Sequence, residues 1–373
     1  QIFGSQDWAY YFLSQIFVLI AFYYVYKLSY KILKDFKLSL ISVLLLESIF
    51  FYNFTTPEFN VNVCQLPFWS LVVYYSWNIY DAKKISFKDC FLVGLFAAVG
   101  FLSKYLFLYL LISIDLLFIY LIFYKKLKKF DFKYLIILEV FIVLMVPHFI
   151  WLLNNDFVTI TYGLNRTGVA DSGIFNHIKY PFSFLLKQTV ILIPFFFLSW
   201  LLIEKIKFKI NFKDKKLLFL IFVNILPIFL IFITSFVMGS KIRTMWMTPF
   251  YLFFGLVFVY LFQSQINFKK IRPFLYTFLF LFLLSPILYS LVSLSQSDKR
   301  TDYPGKDMAA KYQNIWEKDF DKEIQFVTGD EWKAGNLSYH LKSRPKWEGF
   351  TNNKILNNSS QFICVDDVCL GRY

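Results

Sequence analysis

Lys104, Lys241 and Arg243 are the residues of this chain whose type and placement could hold an anionic substrate. Lys104 interrupts the apolar stretch from Cys90 to Tyr124, and the other two stand together in MGSKIRTMWM, residues 238–247. Positive side chains gathered at one surface bind phosphate through charge-assisted hydrogen bonds, which makes a lipid-linked phosphate the natural ligand if the fold unites them. Arg166, in NNDFVTITYGLNRTGVADSG, is a fourth cation of the same kind, and Asp171 follows it. A second group lies in NFTTPEFNVN, residues 53–62, where Glu58 could take a proton and Asn60 and Asn62 could bind hydroxyl groups. His148, three residues before Trp151 in PHFIW, adds an imidazole. Each has a plainer reading beside the chemical one. Lys104 would be a snorkelling lysine, Trp151 and Trp246 interface-belt aromatics, and His148 a hydrogen-bonded packing residue.

The elements that must position these groups are membrane spans. Of 373 residues, 58% are hydrophobic, and they come in long blocks rather than amphipathic stripes, which excludes a soluble globule. As a single helix, Cys90 to Tyr124 would reach roughly 50 Å, against about 30 Å of hydrocarbon, so it reads as two spans turning at Lys104. Counting every block gives about ten spans: 7–26, 38–53, 64–80, 90–103, 105–124, 134–152, 183–203, 217–237, 245–263 and 273–293. The connecting loops sort by charge. Loops 27–37, 81–89, 125–133, 204–216 and 266–272 carry 4, 3, 5, 6 and 3 Lys/Arg, 21 in all, while the alternate set holds only Lys104, Arg166, Lys179, Lys187, Lys241 and Arg243. The rich set is cytoplasmic by the positive-inside rule, and the six stranded cations face the other side with the C-terminal tail. Glu47, Asp115 and Glu139 fall inside predicted spans, where a carboxylate costs at least ~2.5 kcal/mol; they read as hydrogen-bonded helix contacts or as parts of an ion path.

The net charge of +14 belongs wholly to residues 1–293, because residues 294–373 hold twelve Lys/Arg and twelve Asp/Glu. It is topological charge, with no basic soluble face for nucleic acid. The chain thus divides into a multi-span domain, 1–293, and a small extracytoplasmic α/β domain, 294–373, with helices expected at 307–316 and 331–341 and strands at 323–327 and 361–365. Cys364 and Cys369, in CVDDVC, could close a short disulfide loop outside the cytoplasm, and Cys64 and Cys90 read as packing residues.

Several stretches resemble the polytopic GT-C glycosyltransferases, specifically glycosyltransferase family 39, which includes protein O-mannosyltransferases and bacterial lipid A sugar transferases. QIFG followed by Trp8, TTPEFNVNVCQLPFWSL, GLFAAVGFLSKY, PHFIWLLNNDF, KIRTMWMTPFYLFFGL and GDEWKAGNLSYHLKSRP occur in the family's order. The resemblance implies transfer of a hexosyl or pentosyl group from a polyprenyl-phosphate donor to a lipid, lipopolysaccharide or protein acceptor, on the periplasmic side of a bacterial inner membrane. Lys104, Lys241, Arg243 and Arg166 would then bind the donor phosphate, Asn60, Asn62 and His148 the substrate, and Glu58 would act as the in-chain acid-base group. The family's main catalytic acid lies in a loop that this sequence begins just beyond, so the chain reads as an N-terminally truncated piece, inactive alone. Where many relatives carry an Asp before the Phe-Trp pair, this chain has Asn62. A divalent cation is optional in the wider superfamily, and no ligand set for one stands out. The alternative class is a multi-span transporter or lipid flippase, for which the intramembrane carboxylates speak and the lack of an internal repeat speaks against.

Overall fold

The computed structural model describes residues 6–168, 173–207, 210–211, 213–295, 303–351 and 353–373. Asp171 and the QIFG stretch lie outside the described residues. The chain divides into two compact units, Gln1–Tyr289 and Ser290–Tyr373.

The first unit is helical: α1 (Asp7–Leu33), α2 (Phe36–Leu44), α3 (Phe50–Asn53), α4 (Val61–Cys64), α5 (Leu66–Asp81), α6 (Phe87–Ser103), α7 (Leu108–Ile119), α8 (Tyr134–Asn154), α9 (Val158–Arg166), α10 (Asn176–Trp200), α11 (Lys215–Met238), α12 (Phe254–Phe262) and α13 (Ile271–Ser295), the last running past the division. Polar side chains start several of them. The Asp35 carboxylate accepts the Leu38 N–H at the head of α2, and Asp214 accepts that of Lys216 at the head of α11. Gly239, at φ 60°, ends α11 in the left-handed conformation that glycine adopts without cost.

Among the described residues, six helices are long and apolar enough to cross a membrane: Trp8–Leu33, Tyr105–Tyr124, Tyr134–Asn154, Asn176–Trp200, Lys215–Met238 and Phe268–Ser295. The pair Thr244–Tyr251 and Phe254–Gln265, bent by 49°, makes a seventh if taken as one span. The expected count of ten is therefore not met. The block at 38–53 breaks, because a 3-10 turn at Leu45–Ser48 and an extended Ile49 separate the nine residues of α2 from the four of α3. Helices α5 and α6, at 16 and 17 residues, reach only about 25 Å against a hydrocarbon layer of about 30 Å.

In lipid, moving an apolar side chain from acyl chains into protein gains little, so the helices depend on close packing. Helix α1 lies on α2 and α5, α5 on α6, α6 on α8, α11 on α7 and α10, and α12 on α2. The centre is aromatic, with Trp69 between Phe107 and Phe250 (ring centroids 5.4 and 4.9 Å) and Trp77 edge-on to Phe219 at 4.9 Å. Two glycines permit the tightest crossings. A Cβ on Gly94 would stand 2.7 Å from the Ile137 carbonyl oxygen on α8, and one on Gly255 would fall on the Ser42 carbonyl of α2. Asp115 and Glu139 stay exposed on the helix surface, and Glu47 is half-buried in the 3-10 turn.

The second unit holds α14 (Gly305–Asp319), α15 (Glu331–His340), α16 (Asn353–Asn357) and a four-stranded sheet in the order β2-β1-β4-β3, from β1 (Phe326–Thr328), β2 (Lys346–Trp347), β3 (Gln361–Val365) and β4 (Val368–Arg372). Strand β1 is parallel to β2, with α15 as the crossover, and antiparallel to β4. Trp316, Tyr312, Val327, Leu337 and Leu370 form its core. Both expected helices and both expected strands are present; β2 is too short to show a pattern, and β4 ends the chain. Cys364 and Cys369 are directly opposite in the β3–β4 hairpin and joined by a disulfide.

Candidate functional site

Lys104 ends α6 in an extended conformation, its N–H still bonded to the Gly100 carbonyl, and its own carbonyl then accepts the Phe107 N–H of the next turn. Its ammonium donates to Asn62 Oδ1 at 2.5 Å and stands 5.1 Å from the centre of the Trp246 ring. An amide oxygen and an aromatic face stabilise a cation without neutralising it. Burial, and secondarily the nearby charge of Arg166, lower the Lys104 pKa from 10.5 to about 7. The site is thus short of negative charge, and an incoming anion would supply it.

The two asparagines of the 53–62 loop have different tasks. Asn60 caps α4, its Oδ1 accepting the N–H groups of Asn62 and Val63 and its Nδ2 donating to the Glu58 carbonyl, so its polar atoms serve the loop itself. Asn62 is buried and turned to Lys104. The Glu58 carboxylate is exposed and accepts a hydrogen bond from the Tyr289 hydroxyl at 3.2 Å.

Arg166, Lys241 and Arg243 converge. The Lys241 N–H donates to the Thr167 carbonyl at 2.9 Å, which ties the end of α9 to the segment after α11. Between them opens a cleft of about 640 Å³, lined by Arg166, Lys187, Lys241 and Arg243 with Phe50, Phe51, Thr55 and Tyr180; among the described residues no carboxylate lines it. Lys104 is not in this lining but belongs to the same neighbourhood, since Trp246, which it faces, lies three residues beyond Arg243, and the Arg166 charge reaches it. Glu58, Asn60 and Asn62 also lie outside the lining.

His148 accepts or donates at Nε2 to the Tyr105 hydroxyl at 2.7 Å, and the same hydroxyl bonds Thr159 Oγ1 at 2.7 Å. The imidazole stacks on Trp151 at 5.9 Å. This chain pins the first turn of α9, the helix that carries Arg166 and buries no residue of its own. His148 therefore reaches the cleft indirectly, through α9.

Sequence reasoning passed over Lys187 and Tyr105. Lys187 was counted among the outward cations but sits in an apolar block, and only the two-turn extension of α10 back to Asn176 shows that it lies well inside a helix. The sole signal for Tyr105 was its place beside Lys104. Neither Glu47 nor Asp115 lines this cleft or a second one at residues 204–207 and 261–269. No three His, Cys, Asp or Glu side chains among the described residues group as metal ligands.

Residues 1–151 match the family described as dolichyl-phosphate-mannose-protein mannosyltransferase. No curated protein and no solved structure matches the chain. The matched part includes Glu58, Asn60, Asn62, Lys104 and His148, while Arg166, Lys187, Lys241 and Arg243 follow it. This stretch is thus similar to the GT-C, family 39-like membrane glycosyltransferases, and the apolar helices are those of a multi-pass membrane protein.

Proposed function

We propose that the protein transfers a sugar from a polyprenyl-phosphate donor to a lipid, lipopolysaccharide or protein acceptor at the periplasmic face of a bacterial inner membrane. The observation that carries this reading is the cleft in which four cations meet, with no carboxylate among its described lining residues. When the glycosidic bond breaks, the lipid phosphate gains charge, and fixed cations in a place of low polarity lower the barrier by stabilising that charge. Arg166, Lys187, Lys241 and Arg243 take this role, and Lys104, held by Asn62 and Trp246, extends the field toward the matched N-terminal part. The acceptor hydroxyl must lose a proton as it attacks. Glu58 is our candidate for it; its position outside the cleft lining suits a group that meets the acceptor rather than the donor phosphate.

The orientation is read from the segregation of basic residues alone, 21 in one set of loops against six in the other. The Cys364–Cys369 disulfide supports placing the second unit in an oxidising compartment.

The test is sugar transfer from a polyprenyl-phosphate sugar in membranes carrying the full-length protein. Charge-assisted contacts contribute about 1.5–3 kcal/mol each, so the double variant K241Q/R243Q should lose on the order of 100-fold or more in kcat/KM. Transfer at the normal rate would remove the cleft from the mechanism. A transporter reading predicts instead that E47Q or D115N stops transport with no sugar transferred by any variant.

A further inference from the structure

The second cleft, about 740 Å³, lies between two basic loops and has no part in the chemistry above. It is lined by Lys205, Lys207 and Lys269, together with Glu204, Gln265 and Asn267. Lysines on this side of the chain are expected from the positive-inside rule alone, so only their arrangement can argue for more.

The two loops are fastened to each other. The Lys207 N–H donates to Gln265 Oε1 at 2.7 Å, Gln265 Nε2 returns to the Lys207 carbonyl at 2.8 Å, and the Asn267 N–H reaches the Leu202 carbonyl at 2.9 Å. Ile203 and Ile266 add a β-bridge. The carboxylate in the lining, Glu204, already accepts from Asn267 Nδ2 at 2.5 Å. Some other lysines on the same side are consumed by the protein: Lys128 donates to the Ile79 carbonyl at 2.8 Å, Lys133 to that of Ile85 at 2.9 Å and Lys216 to that of Ile32 at 2.7 Å. Lys207 and Lys269 bond the protein through backbone atoms, and among the described residues the ammonium groups of Lys205, Lys207 and Lys269 have no acceptor. Ile206 and Phe268, beside them, are 57% and 42% exposed. Three available ammonium groups on a fixed scaffold, next to exposed apolar side chains, match a phosphate that has acyl chains attached.

We propose that this cleft binds the phosphate of an anionic phospholipid headgroup. Binding does not depend on the catalytic reading; only the leaflet does, which the orientation makes the cytoplasmic one.

The test uses the full-length protein in nanodiscs of mixed phosphatidylglycerol and phosphatidylcholine, with lipid retention read by native mass spectrometry. The wild type should retain phosphatidylglycerol in preference. At about 1 kcal/mol per lysine near the surface, less some screening, K205Q/K207Q/K269Q should weaken that retention roughly 10- to 100-fold. K83Q/K84Q/K88Q, which removes the same charge from another cytoplasmic loop, should leave it unchanged. E204Q keeps the bond to Asn267 and should strengthen retention, which covers the case in which the triple variant fails to fold. Equal loss in both triple variants, no lipid preference in the wild type, or unchanged retention in E204Q would each overturn the proposal. Displacement of the lipid by millimolar inorganic phosphate would overturn its lipid identity in favour of a soluble phosphate ligand.

Discussion

Changing the pH across 7 changes the charge of Lys104, and the outcome can be worked through. Lys104 has its pKa lowered to about 7, by burial first and by Arg166 second. It is therefore about nine-tenths protonated at pH 6 and about one-tenth protonated at pH 8. If the donor phosphate binds only the charged form, its affinity should weaken about tenfold between these values, equivalent to about 1.4 kcal/mol. A sugar-linked lipid phosphate is a diester without the second ionisation near pH 6 that monoesters have, so the ligand does not contribute to the profile. The effect on stability has the opposite sign. The unfolded lysine titrates near 10.5, so between about 7 and 10.5 the unfolded state binds more protons, and stability rises with pH over that window. Below about 7 the full burial penalty stands. The assay is the Kd of a non-hydrolysable polyprenyl-phosphate sugar analogue for the protein in nanodiscs, from pH 6 to 8.5, in wild type, K104R and K104Q. The guanidinium stays charged throughout, so K104R should give a flat profile, and K104Q a flat and weaker one. A wild-type profile that superimposes on K104R would refute the assignment of Lys104 to the phosphate.

Three other outcomes test the surroundings of the site and the fold. Trp246 faces the Lys104 ammonium, and W246L should cost about 1 kcal/mol of donor binding at pH 6, near fivefold, with W246F recovering part of it; an unchanged Kd would reduce Trp246 to packing. In intact cells, Cys364 and Cys369 should resist maleimide labelling until a reductant is added, and C364S should cost the second unit about 2 kcal/mol for so short a loop; labelling without reductant would place the unit in the cytoplasm. Finally, G255A should destabilise the fold by more than the about 1–3 kcal/mol typical of overpacking, seen as a lower thermal midpoint in detergent, because the new methyl meets the Ser42 backbone rather than a movable side chain, and an unchanged midpoint would contradict the α2–α12 crossing.

The sequence determined that this chain lives in a membrane, and it sorted the basic residues into a rich and a sparse set of loops. Hydropathy and the positive-inside rule act locally and one block at a time, so they can be read in order along the chain; the same holds for the second unit, where Asp330 caps α15 and burial alternates along β3. The cations of the sparse loops were legible as a list. Their relation to one another was not. Only the tertiary structure decided that Arg166, Lys187, Lys241 and Arg243 share one cleft, that Lys104 instead turns to Asn62 and Trp246, and that Glu58 is held apart by Tyr289. It likewise decided that the apolar block at 38–53 is broken, because an uninterrupted run of hydrophobic residues fixes preference for lipid but not backbone conformation, and neighbouring helices settle where a turn is inserted. Long-range pairings such as Lys104 with Asn62, or the Thr167 carbonyl with the Lys241 N–H, depend on how whole helices cross, and no property of either residue's own neighbourhood encodes that angle.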